Sequence, residues 1–191
     1  METMDSTYRR PTGPAASAHG PIQRWPAPET IETARLVLEP LRVDHAEQVA
    51  TALADESLHE YIGGHPATQQ QLAERFGRQV SGRSPDGTQR WLNWVVSHRG
   101  SGAVLGTVQA TVQVERGRTT AEVAWVVAAP HQGQGYAGEA AGGMVGWLRA
   151  LGAEAIVAHV HPDHTASMAV ARRLGLCPTD VTVDGETRWT T

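Results

Sequence analysis

The turn Gln132-Gly133-Gln134-Gly135-Tyr136-Ala137 lies between two segments of different periodicity and constrains the fold more than any other stretch of the chain. Residues 119–127 before it are rich in β-branched and aromatic side chains and alternate as a strand does. After it, Ala140, Ala141, Met144, Val145, Leu148 and Leu151 recur at intervals of three and four, the period of a helix with one apolar face. The first turn of such a helix carries N–H groups with no partner inside the helix and the positive end of the helix dipole. Glycines ahead of it let neighbouring amides turn the same way. A strand, a glycine turn and a helix in this order make a seat for an anion, and a pyrophosphate suits it.

Three phosphate-binding patterns compete for the turn. A G-x-x-x-x-G-K-[ST] loop is excluded because the chain has no lysine, all 16 basic residues being arginine. Gly133, Gly135 and Gly138 do spell the dinucleotide fingerprint G-x-G-x-x-G. That motif follows its strand directly and meets an acid about 20 residues on, whereas residues 128–132 intervene here and Asp163 lies about 30 residues past Gly133. The third pattern, [QR]-x-x-G-x-[GA], is an acyl-coenzyme A loop, filled by Gln132, Gly135 and Ala137. A glycine turn in some other α/β domain is the plain alternative.

Two further stretches join the third pattern. Thr33-Ala34-Arg35-Leu36-Val37-Leu38-Glu39-Pro40-Leu41 reads as an opening strand, and a late helix runs from His164-Thr165-Ala166-Ser167 to Arg173-Leu174-Gly175-Leu176. With the loop, they resemble the GNAT superfamily of N-acetyltransferases, and its RimJ/RimL-like branch most closely, over residues 30–178. The resemblance implies a mixed, mostly antiparallel α/β (α+β) sheet of about six or seven strands, with helices on both faces and a splayed central strand pair.

The rest of the chain agrees with that class. Its 191 residues suit one domain. Residues 1–28, rich in Pro, Ala, Gly and Ser, read as a disordered or loosely draped arm in which Trp25 is the exception, and residues 29–191 read as the domain. Asp44 with Glu47, and Thr68 with Gln71, have capping-box spacing; Leu72, Phe76 and Val80 share the second helix's face. Strands are expected over 35–41, 91–98, 103–115, 119–127, 155–160, 181–183 and 187–190, with Gly106 marking a bend or bulge and Asp184-Gly185 a hairpin turn. A net charge of −4 gives no reason to expect nucleic acid. No apolar run is long enough to span a membrane, no secretory signal is visible, and the lone Cys177 excludes an intramolecular disulfide, so a cytoplasmic protein is expected, monomer or homodimer.

Acyl transfer from a thioester to an amine needs a held donor and an amine that loses a proton; positioning and one general base can suffice. The resemblance implies acetyl-CoA as co-substrate and no metal. Its pyrophosphate falls to Gln132, Gly133, Gln134, Gly135, Tyr136 and Ala137, and its pantetheine arm to the edge of Val126 and Val127. The family's late-helix Asn, which touches the same arm, is His164 here, a departure from the pattern in which an imidazole can also donate to the arm. Ser167 matches the family Ser and either bonds that arm, serves the leaving thiolate, or caps the helix. The family's tyrosine acid is replaced by Ala171. For the base, Glu122 stands inside the strand before the loop, where an acid is costly unless paired or used. His159, His161 and His164 spell H-x-H-x-x-H, which is metal-ligand spacing on paper; His161 is also a candidate for the acceptor pocket or for the base. Tyr61, in a loop with His59 and His65 that covers the acceptor in this family, and Trp91, Trp94 and Trp125 are candidates for the acceptor side, the tryptophans competing with the core for that duty. The acceptor is then a primary amine of a small molecule or a peptide N-terminus. A non-catalytic acyl-CoA-binding module and a dinucleotide-dependent oxidoreductase remain as alternatives.

Overall fold

A computed structural model describes residues 25–61, 64–115 and 117–191. Eight strands form one sheet: β1 Ile31–Glu32, β2 Leu36–Pro40, β3 Arg90–His98, β4 Val104–Glu115, β5 Arg118–Val127, β6 Ala155–Val160, β7 Cys177–Val183 and β8 Glu186–Thr190. Four α-helices accompany them: α1 Ala46–Ala52, α2 Gln69–Gln79, α3 Tyr136–Ala150 and α4 Thr165–Arg173. The strand order is β1-β2-β3-β4-β5-β6-β8-β7. Only β5 and β6, joined through α3, run parallel; the other neighbours are antiparallel, β2 and β3 being joined through α1 and α2, and β6 and β8 through α4 and β7. The eighth strand, absent from the expected six or seven, is β1. Its two residues pair with Val37 and Leu38 and are too few to show a period. A mostly antiparallel sheet also removes the dinucleotide reading of the glycine turn, which requires a parallel doubly wound sheet.

Alternation decides what each face of the sheet buries. Leu36, Leu38, Leu92, Trp94, Ala110, Ile156 and Ala158 lie on one face, beneath Ala140, Ala141, Met144, Val145 and Leu148 of α3 and Ala171 of α4. The opposite face is covered only in part: Val95 packs with Val49 of α1 and Leu72 and Phe76 of α2. Farther along that face, Glu122 and Ala124 of β5 and His159 of β6 are not buried. The helix pair therefore roofs one end of the sheet and leaves the polar middle accessible.

Most local expectations hold, and three change. Thr68 and Gln71 do form a reciprocal capping box at α2. Asp44 does not cap α1: a 3-10 turn, Val43–His45, precedes the helix, Asp44 pairs with Arg42 at 3.1 Å, and the His45 imidazole accepts the Arg42 N–H instead. Val80 terminates α2 and is exposed rather than on its buried face. β7 begins at Cys177, not Val181. Trp25, in the segment expected to be a loose arm, packs against the main core, the Pro26 carbonyl accepts from Arg90, and the Glu29 carbonyl accepts from Trp94 Nε1 at 2.8 Å. The remainder of that arm, residues 1–24, lies outside the described residues.

Gly106 is where the sheet is most tightly specified. Register slips between Val96 and Ser97, making Leu105 the extra residue of a bulge, so that Leu105 and Val108, three apart, both reach the core. A β-carbon on Gly106 would collide with the Val126 carbonyl of β5. Gly106→Ala is expected to cost about 1–3 kcal/mol, the range for forced overpacking, read from the midpoint of urea unfolding.

Candidate active site

β5 and β6 pair over only three positions, Thr120↔Ala155, Ala121↔Ile156 and Glu122↔Val157. β5 continues to Val127 and β6 to Val160 with no further pairing between them, so their facing edges separate beyond Glu122. An open cleft of about 1690 Å³ includes this gap and is lined by Glu122, Val126, Gly135, His159, Ser167 and Tyr61 among others.

The glycine turn closes one end. Residues Ala129–His131 form a 3-10 turn after β5, and Gly135 is the N-cap of α3. Gly133 and Gly135 have φ of 73° and 80°, a left-handed geometry that a side chain resists. Residues 133–135 are exposed, and among the described residues no hydrogen bond takes up the N–H groups of residues 133–138. Four or more donors at the positive end of a 15-residue helix are chemically suited to a pyrophosphate. Gln132 turns back, its Nε2 donating to the Val127 carbonyl at 3.0 Å. Gln134 Nε2 donates to the Pro130 carbonyl at 3.3 Å. Tyr136 points its ring under the Arg35 guanidinium, 4.4 Å away, and against His98, so its side chain braces the turn.

What fixes the turn in space was not visible in the sequence. Glu139, in the first turn of α3, accepts from Thr33 Oγ1, the Arg35 amide and Arg35 Nε, each at 2.7 Å, while Arg35 Nη1 donates to the Gln134 carbonyl at 3.1 Å. Burial pushes the Glu139 carboxyl up, but these hydrogen bonds and the Arg35 charge outweigh it and hold the carboxyl below its ordinary value. An acid this close to a phosphate seat demands such a counter-ion, and that demand was the only signal available.

Glu122 and the histidines are sorted by the fold. Register places Trp91, Thr111, Glu122, Val157 and Thr190 in one row across the open face. The Glu122 carboxylate, about a third exposed at 33%, lies 3.1 Å from His159 Nδ1. His159, considered in the sequence only for metal spacing, thus becomes the partner of the candidate base. Parity could have found it, since it stands two residues past Glu122's register partner and on the same face. His161 and His164 do something else: Tyr61 stacks on His164 at 4.3 Å and tilts over His161 at 5.5 Å. Burial, with the charge of His161 beside it, holds the His164 imidazole below its ordinary value. Among the described residues no three His, Cys, Asp or Glu side chains gather as a metal group.

The remaining candidates are placed as follows. His164 is the N-cap of α4, without a side-chain cap bond, and Ser167 is half-buried on the cleft wall with no hydrogen bond among the described residues, so it does not cap the helix. Ala171 is fully buried in the main core. Trp91 lies two strands from Glu122, its Nε1 donating to Gln89 Oε1 at 3.3 Å. Trp94 is 0% exposed and edge-on to Trp147, on the α3 face rather than the open one, so it serves the core and has no surface to offer an acceptor. Trp125 also packs against that core.

A family model described as an acetyltransferase (GNAT) domain matches residues 35–176. The chain belongs to the GNAT acetyltransferase family. Solved structures share the fold. A GNAT-family acetyltransferase of Bacillus anthracis is 18% identical with a TM-score of 0.67, covering 84% of this chain and 95% of its own. The ribosomal-protein-S5-alanine acetyltransferase of Vibrio fischeri is 15% identical with a TM-score of 0.68, covering 85% and 95%. The microcin C7 self-immunity acetyltransferase MccE, solved with acetyl-CoA and AMP, is 13% identical with a TM-score of 0.67, covering 83% and 93%. No curated protein matches the chain in sequence. As a GNAT protein it is an acyl-CoA-dependent N-acetyltransferase.

Two outcomes follow for the turn. Acetyl-CoA should raise the melting temperature of the native protein, and Gly135→Glu should abolish that rise by placing a side chain and a negative charge among the free amides; a retained rise would remove the phosphate role from the turn. Because the Glu139 carboxyl is held below its ordinary value, its stabilisation is fully present above the unfolded carboxyl pKa, about 4.3, and is lost as pH falls through the lower folded value. Glu139→Gln should therefore cost about 1–3 kcal/mol at pH 7, and the gap to the native protein should close in acid unfolding curves.

Proposed function

We propose that this GNAT enzyme transfers an acetyl group from acetyl-CoA to a primary amine of a small molecule or a protein N-terminus. Acetyl-CoA supplies the activated acyl group when bound, so the chain need provide no covalent nucleophile. The amides of residues 133–137 hold the pyrophosphate, Val126 and Val127 border the pantetheine arm, and Ser167 faces the same cleft. Tyr61, with His161 and His164 beneath it, borders the acceptor. Trp91 supports the polar floor through Gln89. The ribosomal-protein acetyltransferase among the similar structures supports a RimJ/RimL-like reading, and hence a peptide amine among the first acceptors to try.

The observation that carries this reading is the Glu122–His159 pair at 3.1 Å, standing where β5 and β6 part. A positioned acid–base group at the mouth of the cofactor gap is what amine deprotonation requires. Glu122 is the last residue of β5 that pairs with β6, and both members of the pair line the cleft.

The test is a panel of primary amines and free-N-terminus peptides incubated with acetyl-CoA, with products detected by mass. On the best acceptor, Glu122→Gln should lose about 10²–10⁴-fold in kcat while the affinity for acetyl-CoA is retained. Full turnover in that variant would make Glu122 structural.

A further inference from the structure

We infer that within this pair the amine proton is received by His159 Nε2, and that Glu122 is the positioning carboxylate that fixes the imidazole; the inference rests on the proposed acetyl transfer at this site. Glu122 was the expected base, but the hydrogen bond between the two residues assigns the roles differently.

An ionised carboxylate offers only lone pairs, so the 3.1 Å contact requires His159 Nδ1 to carry the hydrogen. Nε2 then carries the imidazole lone pair, and among the described residues no hydrogen bond takes it up. Glu122 Oε1 is engaged as the acceptor of that hydrogen bond whereas no hydrogen bond engages Nε2, and an imidazole is in general a stronger base than a carboxylate. Position agrees with this order. Glu122 is the last residue of β5 that pairs with β6, whereas His159 lies two residues beyond Val157, on the stretch of β6 whose edge has parted from β5. Its other neighbour strand is β8, where Arg188 is its register partner. His159 is 18% exposed and lines the cleft.

Among the described residues, the titratable and charged groups on its side of the sheet include Glu122 on β5, Arg188 and Glu186 on β8 and His161 just past the end of β6. Arg188 reaches Glu115 at 3.9 Å, so its charge is shared with a carboxylate and does not oppose an imidazolium alone. The proton step balances simply. The amine proton passes to Nε2 and its bonding pair stays on the amine nitrogen, which forms the new C–N bond to the acyl carbon; the thioester C–S bond breaks, its electron pair leaves on the coenzyme A sulfur as thiolate, and the imidazolium is stabilised by Glu122, which keeps its own charge. Nε2 returns the proton to solvent as product leaves.

Two measurements test the assignment. Long-range 1H–15N correlation on the acceptor-free protein should show the His159 ring protonated at Nδ1 at neutral pH; the Nε2–H tautomer would overturn the inference. The second is the pH profile of kcat with the best amine of the panel. In the native enzyme it should rise through one limb to a plateau. His159→Gln should lower kcat about 10²–10⁴-fold and abolish the limb, whereas Glu122→Gln should lower kcat yet keep a displaced limb. Added imidazole should restore part of the rate to His159→Ala, a rescue that a merely structural histidine would not give. If Glu122→Gln abolishes the limb and His159→Gln only displaces it, Glu122 is the acceptor and the inference fails while the acetyl-transfer reading stands. If neither variant changes kcat or the limb, both the inference and the base role of the pair fail.

Discussion

The loss of pairing between β5 and β6 after Glu122↔Val157 is the constraint on which the rest of this site depends. Backbone amides in a continuous sheet are consumed by their neighbours, so a sheet has no internal room for a ligand arm. Parallel pairing forced by the α3 crossover holds the two strands together at their beginnings. Past that point each strand follows its other neighbour: β5 stays with β4 as far as Val127, and β6 stays with β8 through Val160. The gap therefore opens at the level of Glu122 and His159, and it opens toward the glycine turn. Gly106 secures the fixed side, since only a residue without a β-carbon lets β4 approach the Val126 carbonyl so closely.

The turn itself is held from far away. Thr33 and Arg35 begin the domain's edge, and they grip Glu139 more than a hundred residues later, with separations of 106 and 104 in the chain. That grip does two jobs at once. It anchors the start of α3 against β2, and it neutralises a carboxylate that would otherwise repel the phosphate the helix N-terminus is suited to bind. Arg35 also covers Tyr136, so the same side chain touches the turn, the helix start and the chain leading into β2. The positive φ values at Gly133 and Gly135 keep the amides exposed on the other side.

The expected site was legible where chemistry followed local pattern and blurred where it followed cross-strand geometry. Glu122 was singled out because an acid inside a strand is costly, and it does border the cleft. Spacing groups His159 with His161 and His164, yet the strand ends at Val160: His159 keeps the sheet's parity and meets Glu122, while the other two fall on the turn and the helix cap, where Tyr61 stacks on His164 and tilts over His161. Trp94 shows the same limit from the other side. Trp91 and Trp94 are three apart in one strand, so they must face opposite sides, and register puts Trp91 on the open face and Trp94 beneath α3.

By itself the sequence determined the periodic elements, the glycine turn and the capping box at Thr68, because each is decided by residues within one turn or one strand of each other. It also determined the family, through three motifs in the right order. Only the tertiary structure decided the two-residue strand β1, the Leu105 bulge, the packing of Trp25 on the core, the Arg35–Glu139 anchor and the Glu122–His159 pair. The Trp25 packing, the Arg35–Glu139 anchor and the Glu122–His159 pair join groups far apart in the chain, while β1 and the bulge turn on a strand register that the local residues do not record. Polar side chains on an open sheet face are the extreme case: alternation gives their side of the sheet, but only register gives their neighbour.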